Sequence, residues 1–394
     1  MSKLSFPMIT QIHVKNFRSL ADVTIDLEPL TILVGTNGSG KSNAVDVLRF
    51  LRDILTRGLD TAIMDRHGMS ALRRWSPKGK PYDIHIGISF LGEDFQGEYS
   101  FTLGSEKRGE YRVKSELLTI NAINGKAIEY EIKNGEWVKP SKSILRNAKF
   151  LLPVDQIDLQ LLKLVRMFEP TVSSRFVSSP YRFFSNMGFY TIFPNNLREP
   201  QKSANPYPLD EGGQNMASVL RNIKSKKTDN LFKSIVEALS KVTPGLEDIF
   251  VTQVGGYYVT RLLYKANVKG DRRPTFELSQ ESDGTLRMLG ILTALYQIPA
   301  RTLLTIEEPE LTIHPGALGV LFDVINEASM RNQVIITTHS PDLVSQFPAN
   351  VFRVVEKING ITHIGSISEN QRLAINEKLF SPGDLMRIEG FRLE

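Results

Sequence analysis

The stretch Leu30-Thr31-Ile32-Leu33-Val34-Gly35-Thr36-Asn37-Gly38-Ser39-Gly40-Lys41-Ser42-Asn43-Ala44 decides the fold. Thr31 to Val34 is a short apolar run of the kind carried by a strand buried on both faces. Gly35 to Ser42 fits G-x-x-x-x-G-K-[ST], and from Lys41 onward Ala44, Val47, Leu48, Leu51, Ile54 and Leu55 recur at helical spacing. Strand, glycine loop and helix in that order form the context in which this pattern cradles phosphate. Glycines let backbone N–H groups turn inward around phosphate oxygens, Lys41 supplies a point charge to the β- and γ-phosphates, and Ser42 offers a hydroxyl to Mg²⁺. A plain glycine turn is the competing reading, and the flanking elements argue against it.

Three later segments carry matching chemistry. After the apolar strand Thr302 to Ile306 come Glu307-Glu308-Pro309-Glu310. Adjacent carboxylates at the C-terminal end of a parallel strand lie where open α/β sheets bind ligands, the first suited to a Mg²⁺ shell and the second to polarising an attacking water. Thr338-His339-Ser340 follows the next strand, Gln333 to Thr337, and a histidine there is placed to hydrogen-bond a γ-phosphate. Ser282-Asp283-Gly284-Thr285 opens a helix whose Leu286, Leu289, Leu292 and Leu295 are apolar. Ser282 reads as a helix N-cap; with the helix N–H groups and dipole it also reads as a γ-phosphate contact made across to another subunit.

Around these motifs the chain divides into 1–150, 151–273 and 274–394. Ile12 to Phe17 alternates as a half-buried strand, and residues 82–138 are β-rich, with Asn134-Gly135 as a turn, which predicts an antiparallel sheet. Helical patterns run from Asp155 to Phe168 and from Gly212 to Leu239, the latter rich in Lys224, Lys226 and Lys227. Residues 176–208 hold many aromatics among Pro180, Pro194, Pro200, Pro206 and Pro208, a density that excludes a long helix or a central strand and predicts a packed loop. Helices over 283–297 and 316–330 alternate with strands at 302–306, 334–337 and 351–355, which predicts a parallel sheet. There is no internal repeat and no sustained heptad pattern.

Composition narrows the function classes. With 394 residues, 41% apolar and 23% charged, the chain is an ordinary globular one, large enough for two lobes. No apolar stretch long enough to span a membrane and no secretory leader is present, which predicts a cytoplasmic protein without a membrane partner. The absence of cysteine excludes disulfides, zinc thiolates and cysteine nucleophiles. A net charge of +5 permits a nucleic-acid partner without demanding one. The basic stretches Arg73 to Lys80 and Lys139 to Lys149 read more simply as solvated surface than as a backbone-binding face.

Taken together, Lys15-Asn16-Phe17-Arg18, Gly35 to Ser42, Ser282 to Thr285, Leu304 to Pro309 and Thr337 to Ser340, in that order, resemble the ABC-type ATPases of the RecF, SMC and OLD group. The chain is most similar to the compact AAA-like ATPases of bacterial anti-phage operons, strongly over 1–55 and 275–394. The resemblance implies an α/β ABC-type P-loop ATPase head with an antiparallel β subdomain and a helical insertion, binding ATP and Mg²⁺ and hydrolysing ATP to ADP and phosphate. It implies a Walker A loop of Gly35, Asn37, Gly38, Ser39, Gly40, Lys41 and Ser42. Glu307 becomes the Walker B carboxylate sharing the metal with Ser42, Glu308 the catalytic glutamate and His339 the switch histidine. Ser282, Asp283 and Gly284 become the signature acting across a dimer, Leu311 to Pro315 the D-loop, and Arg18 a neighbour of the nucleotide.

The departures are Glu307 where aspartate is usual and Ser-Asp-Gly-Thr in place of Ser-Gly-Gly-Gln, both compatible with slow turnover. The Q-loop glutamine is not placed; Gln201, after Asn195-Asn196-Leu197-Arg198, is a candidate that reads more simply as surface loop. OLD proteins carry a Toprim nuclease domain, whereas Asp342, Glu356, Glu369, Glu377, Asp384 and Glu389 form no Asp-x-Asp pair, so no nuclease is expected within these residues. The leading expectation is an ATP-hydrolysing switch, a homodimer or higher homo-oligomer, that controls a separate nuclease or toxin-like effector in anti-phage defence. The alternative is a RecF-like DNA-binding ATPase in repair or clamp loading, which keeps DNA open as a partner. A scaffold whose nucleotide merely holds an oligomer together has no need of Glu308 and His339.

Overall fold

The computed structural model describes residues 6–76, 81–92, 95–105, 110–122, 127–139, 156, 158–161, 172–225, 229–266 and 272–394. Two compact units result: Met1–Met187 with Phe352–Glu369 and Phe391–Glu394, and Gly188–Val351 with Asn370–Gly390.

The first unit opens with β1 (Met8–Phe17), β2 (Leu20–Asp26) and β3 (Leu30–Val34), followed by α1 (Lys41–Arg57), α2 (Leu59–Met64) and α3 (Met69–Leu72). All five residues of β3 are buried, as its apolar run requires. Helix α1 buries Ala44, Val47, Leu48, Leu51, Ile54 and Leu55, the stripe read from the sequence. Next comes an antiparallel meander of β4 (Ile84–Leu91), β5 (Phe95–Ser105), β6 (Tyr111–Ala122), β7 (Ala127–Lys133) and β8 (Glu136–Lys139). In β4, Ile84, Ile86, Ile88 and Phe90 alternate inward, which is the period-two pattern of a half-buried strand. Glu116 of β6 is buried beneath this sheet and accepts four hydrogen bonds, from Tyr99 Oη at 3.0 Å, Tyr130 Oη at 2.7 Å, Gln160 N at 2.6 Å and Leu161 N at 2.9 Å.

Helix α4 (Val172–Ser185) corrects one expectation, because it is a 14-residue helix with Pro180 inside it. An interior proline costs a helix about 3 kcal/mol, and aromatic packing offsets that here. Phe183 and Phe184 are buried, Phe184 meets Phe90 edge-on at 5.4 Å and stacks on Tyr99 at 6.0 Å, and Tyr181 Oη donates to Leu55 O at 3.3 Å. Of the helix expected over 155–168, only residues 160 and 161 are seen to be helical, and 162–168 lie outside the described residues.

The second unit takes up the chain with β9 (Met187–Tyr190), α5 (Pro194–Arg198), β10 (Gln201–Lys202), α6 (Met216–Ser225), α7 (Asp229–Val242), β11 (Leu246–Val254), β12 (Tyr257–Tyr264) and β13 (Thr275–Glu277). Of the helical pattern expected over 212–239, Met216–Ser225 and 229–239 are helical, and Lys226 and Lys227 lie outside the described residues. Strand β9 stands last in its sheet order, a position that tolerates the surrounding prolines. Then follow α8 (Asp283–Tyr296), β14 (Leu303–Glu307), α9 (Leu318–Ser329), β15 (Gln333–Thr338) and α10 (Pro341–Val344). Strands β14 and β15 are parallel, with Glu307 opposite Thr337, as the α/β alternation predicts. Antiparallel β10, β11, β12 and β13 make a separate small sheet.

The chain returns to the first unit as β16 (Phe352–Ile358) and β17 (Ile361–Gly365). Strand β16 pairs parallel to β3 and β17 parallel to β2, giving the order β8-β7-β6-β5-β4-β1-β2-β17-β16-β3. Two further helices, α11 (Glu369–Asn376) and α12 (Pro382–Ile388), follow. Among the described residues no helix is long and apolar enough to cross a membrane. Of the two basic stretches, 77–80 and 140–149 lie outside the described residues, while Trp75 is exposed.

Candidate functional site

In the first unit β3 delivers the chain into the glycine loop. A Cβ at Gly35 would stand 2.2 Å from Val355 O, and one at Gly40 would stand 2.2 Å from Thr362 Oγ1, so neither position admits a side chain. Gly40 also has φ 114°, in the region that L-residues avoid. It precedes α1, whose N-terminus no side chain caps. The positive end of the helix dipole therefore faces the loop, where it favours an anion. Lys41 Nζ curls into the loop, donating to Gly35 O at 2.7 Å and Thr36 O at 3.0 Å. Ser39 Oγ is buried without a partner, while Thr36, Asn37, Gly38 and Ser42 are exposed. Glycine cradle, helix N-terminus and inward ammonium fit a polyphosphate, and the Ser42 hydroxyl is a hard oxygen donor of the kind Mg²⁺ prefers.

A polar chain beneath the loop had no signature in the sequence. Thr362 Oγ1 of β17 donates to Ser39 O at 2.8 Å, Ser19 Oγ donates to Thr362 Oγ1 at 2.7 Å, and Asn43 Nδ2 donates to Ser19 Oγ at 2.7 Å. Thr362 and Ser39 are 323 positions apart, so no local pattern exposes the pairing. Arg18 joins at the other end, its guanidinium 3.4 Å from Asn43 Oδ1 and 2.9 Å from Asp46 Oδ2. Asp46 in turn pairs at 2.8 Å with the buried Arg66, which also reaches Asp53 at 2.9 Å. Arg18 is therefore held against the first turns of the helix that follows the glycine loop.

In the second unit β14 ends at Glu307. Glu308 leaves the strand with φ 45°, and its N–H donates to Thr337 O at 2.8 Å, so the turn is tied to the end of β15. This places Glu308 Oε1 3.0 Å from His339 Nδ1. Glu310 is buried and accepts from Thr338 Oγ1 at 2.5 Å; Thr338 Oγ1 accepts from Ser340 N at 3.0 Å. Burial pushes the Glu310 carboxyl above the ordinary carboxylate range. The segment bearing His339 is thus gripped on both sides of the histidine.

Ser282 caps α8, with its Oγ accepting from Thr285 N at 3.2 Å and lying 2.9 Å from Thr285 Oγ1. Asp283 is exposed and paired with Arg198, which also donates to Ser279 O at 3.2 Å and Glu281 O at 2.9 Å. A Cβ on Gly284 would meet Thr312 O at 2.7 Å, so glycine is needed where the 311–315 segment passes. Gln201 is not surface loop. It is buried, donating to Asn196 O and Gly213 O and accepting from Ala217 N at 2.7 Å, which is the work of an internal brace. Arg198 closed the quoted stretch Asn195 to Arg198, but its partners Asp283, Ser279 O and Glu281 O are 81 or more positions away, and Arg287, bonded to main-chain oxygens, had no signal in residue spacing. Among the described residues no three acidic or histidine side chains converge as a metal cage; Glu307 ends β14.

Residues 30–345 match the family described as "AAA domain, putative AbiEii toxin, Type IV TA system". The chain belongs to this family. It is an ABC-type P-loop ATPase, in keeping with its α/β sheets and glycine loop. It is 24% identical over 389 residues to the Old nuclease of Escherichia phage P2, covering 92% of this chain. It is 24% identical over 411 residues to the uncharacterized protein YbjD of Escherichia coli (strain K12), covering 96% of this chain. The chain spans 61% of the length of the first relative and 68% of the second. In fold it resembles the SMC head solved bound to the C-winged helix domain of ScpA, with TM-score 0.53, 15% identity, and 93% of this chain and 99% of that chain covered.

Proposed function

We propose that this P-loop ATPase hydrolyses ATP between two of its own copies and uses the cycle to control a separate effector protein. The observation that carries the reading is the Glu308–His339 contact of 3.0 Å at the end of β14, in a chain whose glycine loop leaves a helix N-terminus uncapped. Lys41 and the loop amides from Gly35 to Ser42 hold the phosphate chain. Ser42 and Glu307 would hold Mg²⁺, which would supply Lewis-acid neutralisation of phosphate charge. Glu308 orients a water and accepts its proton as the water oxygen bonds to the γ-phosphorus and the bond to the bridging oxygen breaks; ADP is the leaving group. His339 fixes the Glu308 carboxylate and faces the γ-phosphate. Ser282, Asp283 and Gly284 approach the nucleotide of the other copy, with the α8 N-terminus aimed at its charge. Arg18, steered by Asp46, lies near the phosphates of its own copy.

Residues 1–150 and 274–394 act as the lobes of the ATPase head and 151–273 as its insertion, in a cytoplasmic protein. The nuclease name of the phage P2 relative and the family's description as a putative toxin are in keeping with an effector of nuclease or toxin type, and the setting we propose for it is anti-phage defence. The second reading is a RecF-like ATPase acting on DNA in repair or clamp loading, favoured by the net charge of +5. Phosphate release and ATP-dependent change in mass, measured on the parent, Lys41→Ala and Glu308→Gln, test the chemistry. Loss of binding in Lys41→Ala and of turnover in Glu308→Gln are expected, the latter trapping the larger species. Full turnover by Glu308→Gln rules the assignment out. Proteins and nucleic acid copurifying with Glu308→Gln separate the two biological readings: a stoichiometric protein supports the effector, and DNA alone supports the RecF-like role.

A further inference from the structure

Arg287 lies one turn into α8 and is 3% exposed. Its hydrogen bonds run to main-chain oxygens: one terminal nitrogen donates to Ile192 O at 2.6 Å, the other to Glu308 O at 2.7 Å and Glu307 O at 3.3 Å. Its Nε is buried without a partner. Burial works to strip the guanidinium of its proton, and the carboxylates of Glu310 and Glu308 oppose that. A buried charge spent on carbonyls is an expensive way to fill space, since an apolar side chain of similar volume is commonly as stable or more so.

The fork does something that an apolar residue cannot. Glu308 sits at φ 45°, a conformation that residues other than glycine adopt only under constraint. Arg287 grips the carbonyl of that residue while its amide is held by Thr337 O. Rotation of this peptide would swing the Glu308 carboxylate away from His339. Arg287 is also built into the helix that Ser282 caps, so a shift of α8 is passed directly to the Glu308 carbonyl.

We propose that Arg287 is a positioning residue that makes turnover at Glu308 depend on helix α8, so that a copy becomes competent only when its own Ser282 is engaged by the nucleotide of the other copy. This rests on the reading of Glu308 and Ser282 given above. The consequence is cooperative hydrolysis, in which each site licenses the other through a single side chain.

The experiment compares the full-length parent, Arg287→Met, Arg287→Lys and Glu308→Gln for nucleotide affinity, kcat, KM, the Hill coefficient of phosphate release and melting temperature. Expected is a parent Hill coefficient above one. Arg287→Met should retain nucleotide affinity while kcat falls on the order of 10²-fold, the cost of misplacing a reacting group, and the Hill coefficient falls to one. Arg287→Lys, which keeps the charge without the fork, should regain part of kcat but no cooperativity; it carries the test if Arg287→Met does not fold. A parent Hill coefficient of one overturns the proposal, as does a kcat loss that merely tracks lost folded protein with cooperativity intact. Full turnover in Glu308→Gln overturns the reading of the site and this inference together. An inactive Glu308→Gln beside an Arg287→Met that matches the parent in kcat and Hill coefficient overturns the inference alone.

Discussion

His339 Nδ1 stands 3.0 Å from Glu308 Oε1, at a point where the Glu308 main chain is bonded to the end of the strand that carries the histidine. The contact joins the ends of two parallel strands, so the carboxylate is aimed by the sheet and by the imidazole together. Removing the imidazole should leave the carboxylate present but badly oriented. His339→Ala is therefore expected to lower kcat by about 10²-fold, in the range of a lost general-base contribution, with ATP affinity nearly unchanged. Phosphate release and equilibrium nucleotide binding check this. A rise in KM at constant kcat would assign His339 to binding alone.

Thr362 and Gly40 form a lock under the glycine loop. Thr362→Ala removes the bond to Ser39 O and the one from Ser19, which should destabilise the first unit by about 1–3 kcal/mol and weaken nucleotide binding. Gly40→Ala is expected to be worse, because φ is 114° and the new Cβ would lie 2.2 Å from Thr362 Oγ1. In the double mutant the methyl added at position 40 no longer meets the hydroxyl, so the combined loss should be smaller than the sum of the two single losses. Urea unfolding of the two singles and the double measures the coupling; strict additivity would show that the close approach is not what excludes a side chain at position 40.

The glycine loop was legible because its pattern is local: a buried strand, a glycine run and an amphipathic helix fall within Leu30 to Leu55. The parallel arrangement of β14 and β15 and the antiparallel run from β4 to β8 were legible for the same reason, through period and turn residues. What escaped reading depends on partners far along the chain. Pro180 argues for a break until Phe184 is seen between Phe90 and Tyr99. Gln201 looks like a loop residue until its amide is found satisfied by three backbone groups. Thr362 and Arg287 have no pattern at all, since hydrogen bonds to main-chain oxygens leave no trace in residue spacing.

Arg66 is 8% exposed, bridges Asp46 and Asp53, and lies 5.1 Å from the centre of the Phe50 ring. Arg66→Ala strands two buried carboxylates and is expected to cost about 3 kcal/mol, at the low end for a broken buried pair. The low end applies because Arg18 still faces Asp46 and Arg52 still faces Asp53. Adding Asp53→Asn should recover part of the loss. Denaturant unfolding reads both variants, and an Arg66→Ala protein as stable as the parent would mean that the network contributes nothing net.

Glu116 offers a pH-dependent test of the antiparallel region. It is 1% exposed, and burial raises its pKa above the ordinary value of 4.5 against the pull of four donors. The folded state thus holds the proton more tightly than the unfolded chain. Below the ordinary value both states are protonated and the group adds no slope; between the ordinary and the raised value the folded state binds more protons, so stability falls as pH rises, by at most about 1.4 kcal/mol per pH unit. Glu116→Gln cannot titrate and loses this slope, although its amide hydrogens face groups that themselves donate, so it begins less stable than the parent at low pH. Other carboxyls raised by burial, such as Glu281 and Glu310, remain in both proteins and cancel in the comparison. Thermal melts of the two proteins at matched pH should show the parent's advantage shrinking as pH climbs through the carboxylate range. An advantage that stays constant or widens would mean that the four donors outweigh burial and that Glu116 is held as the anion.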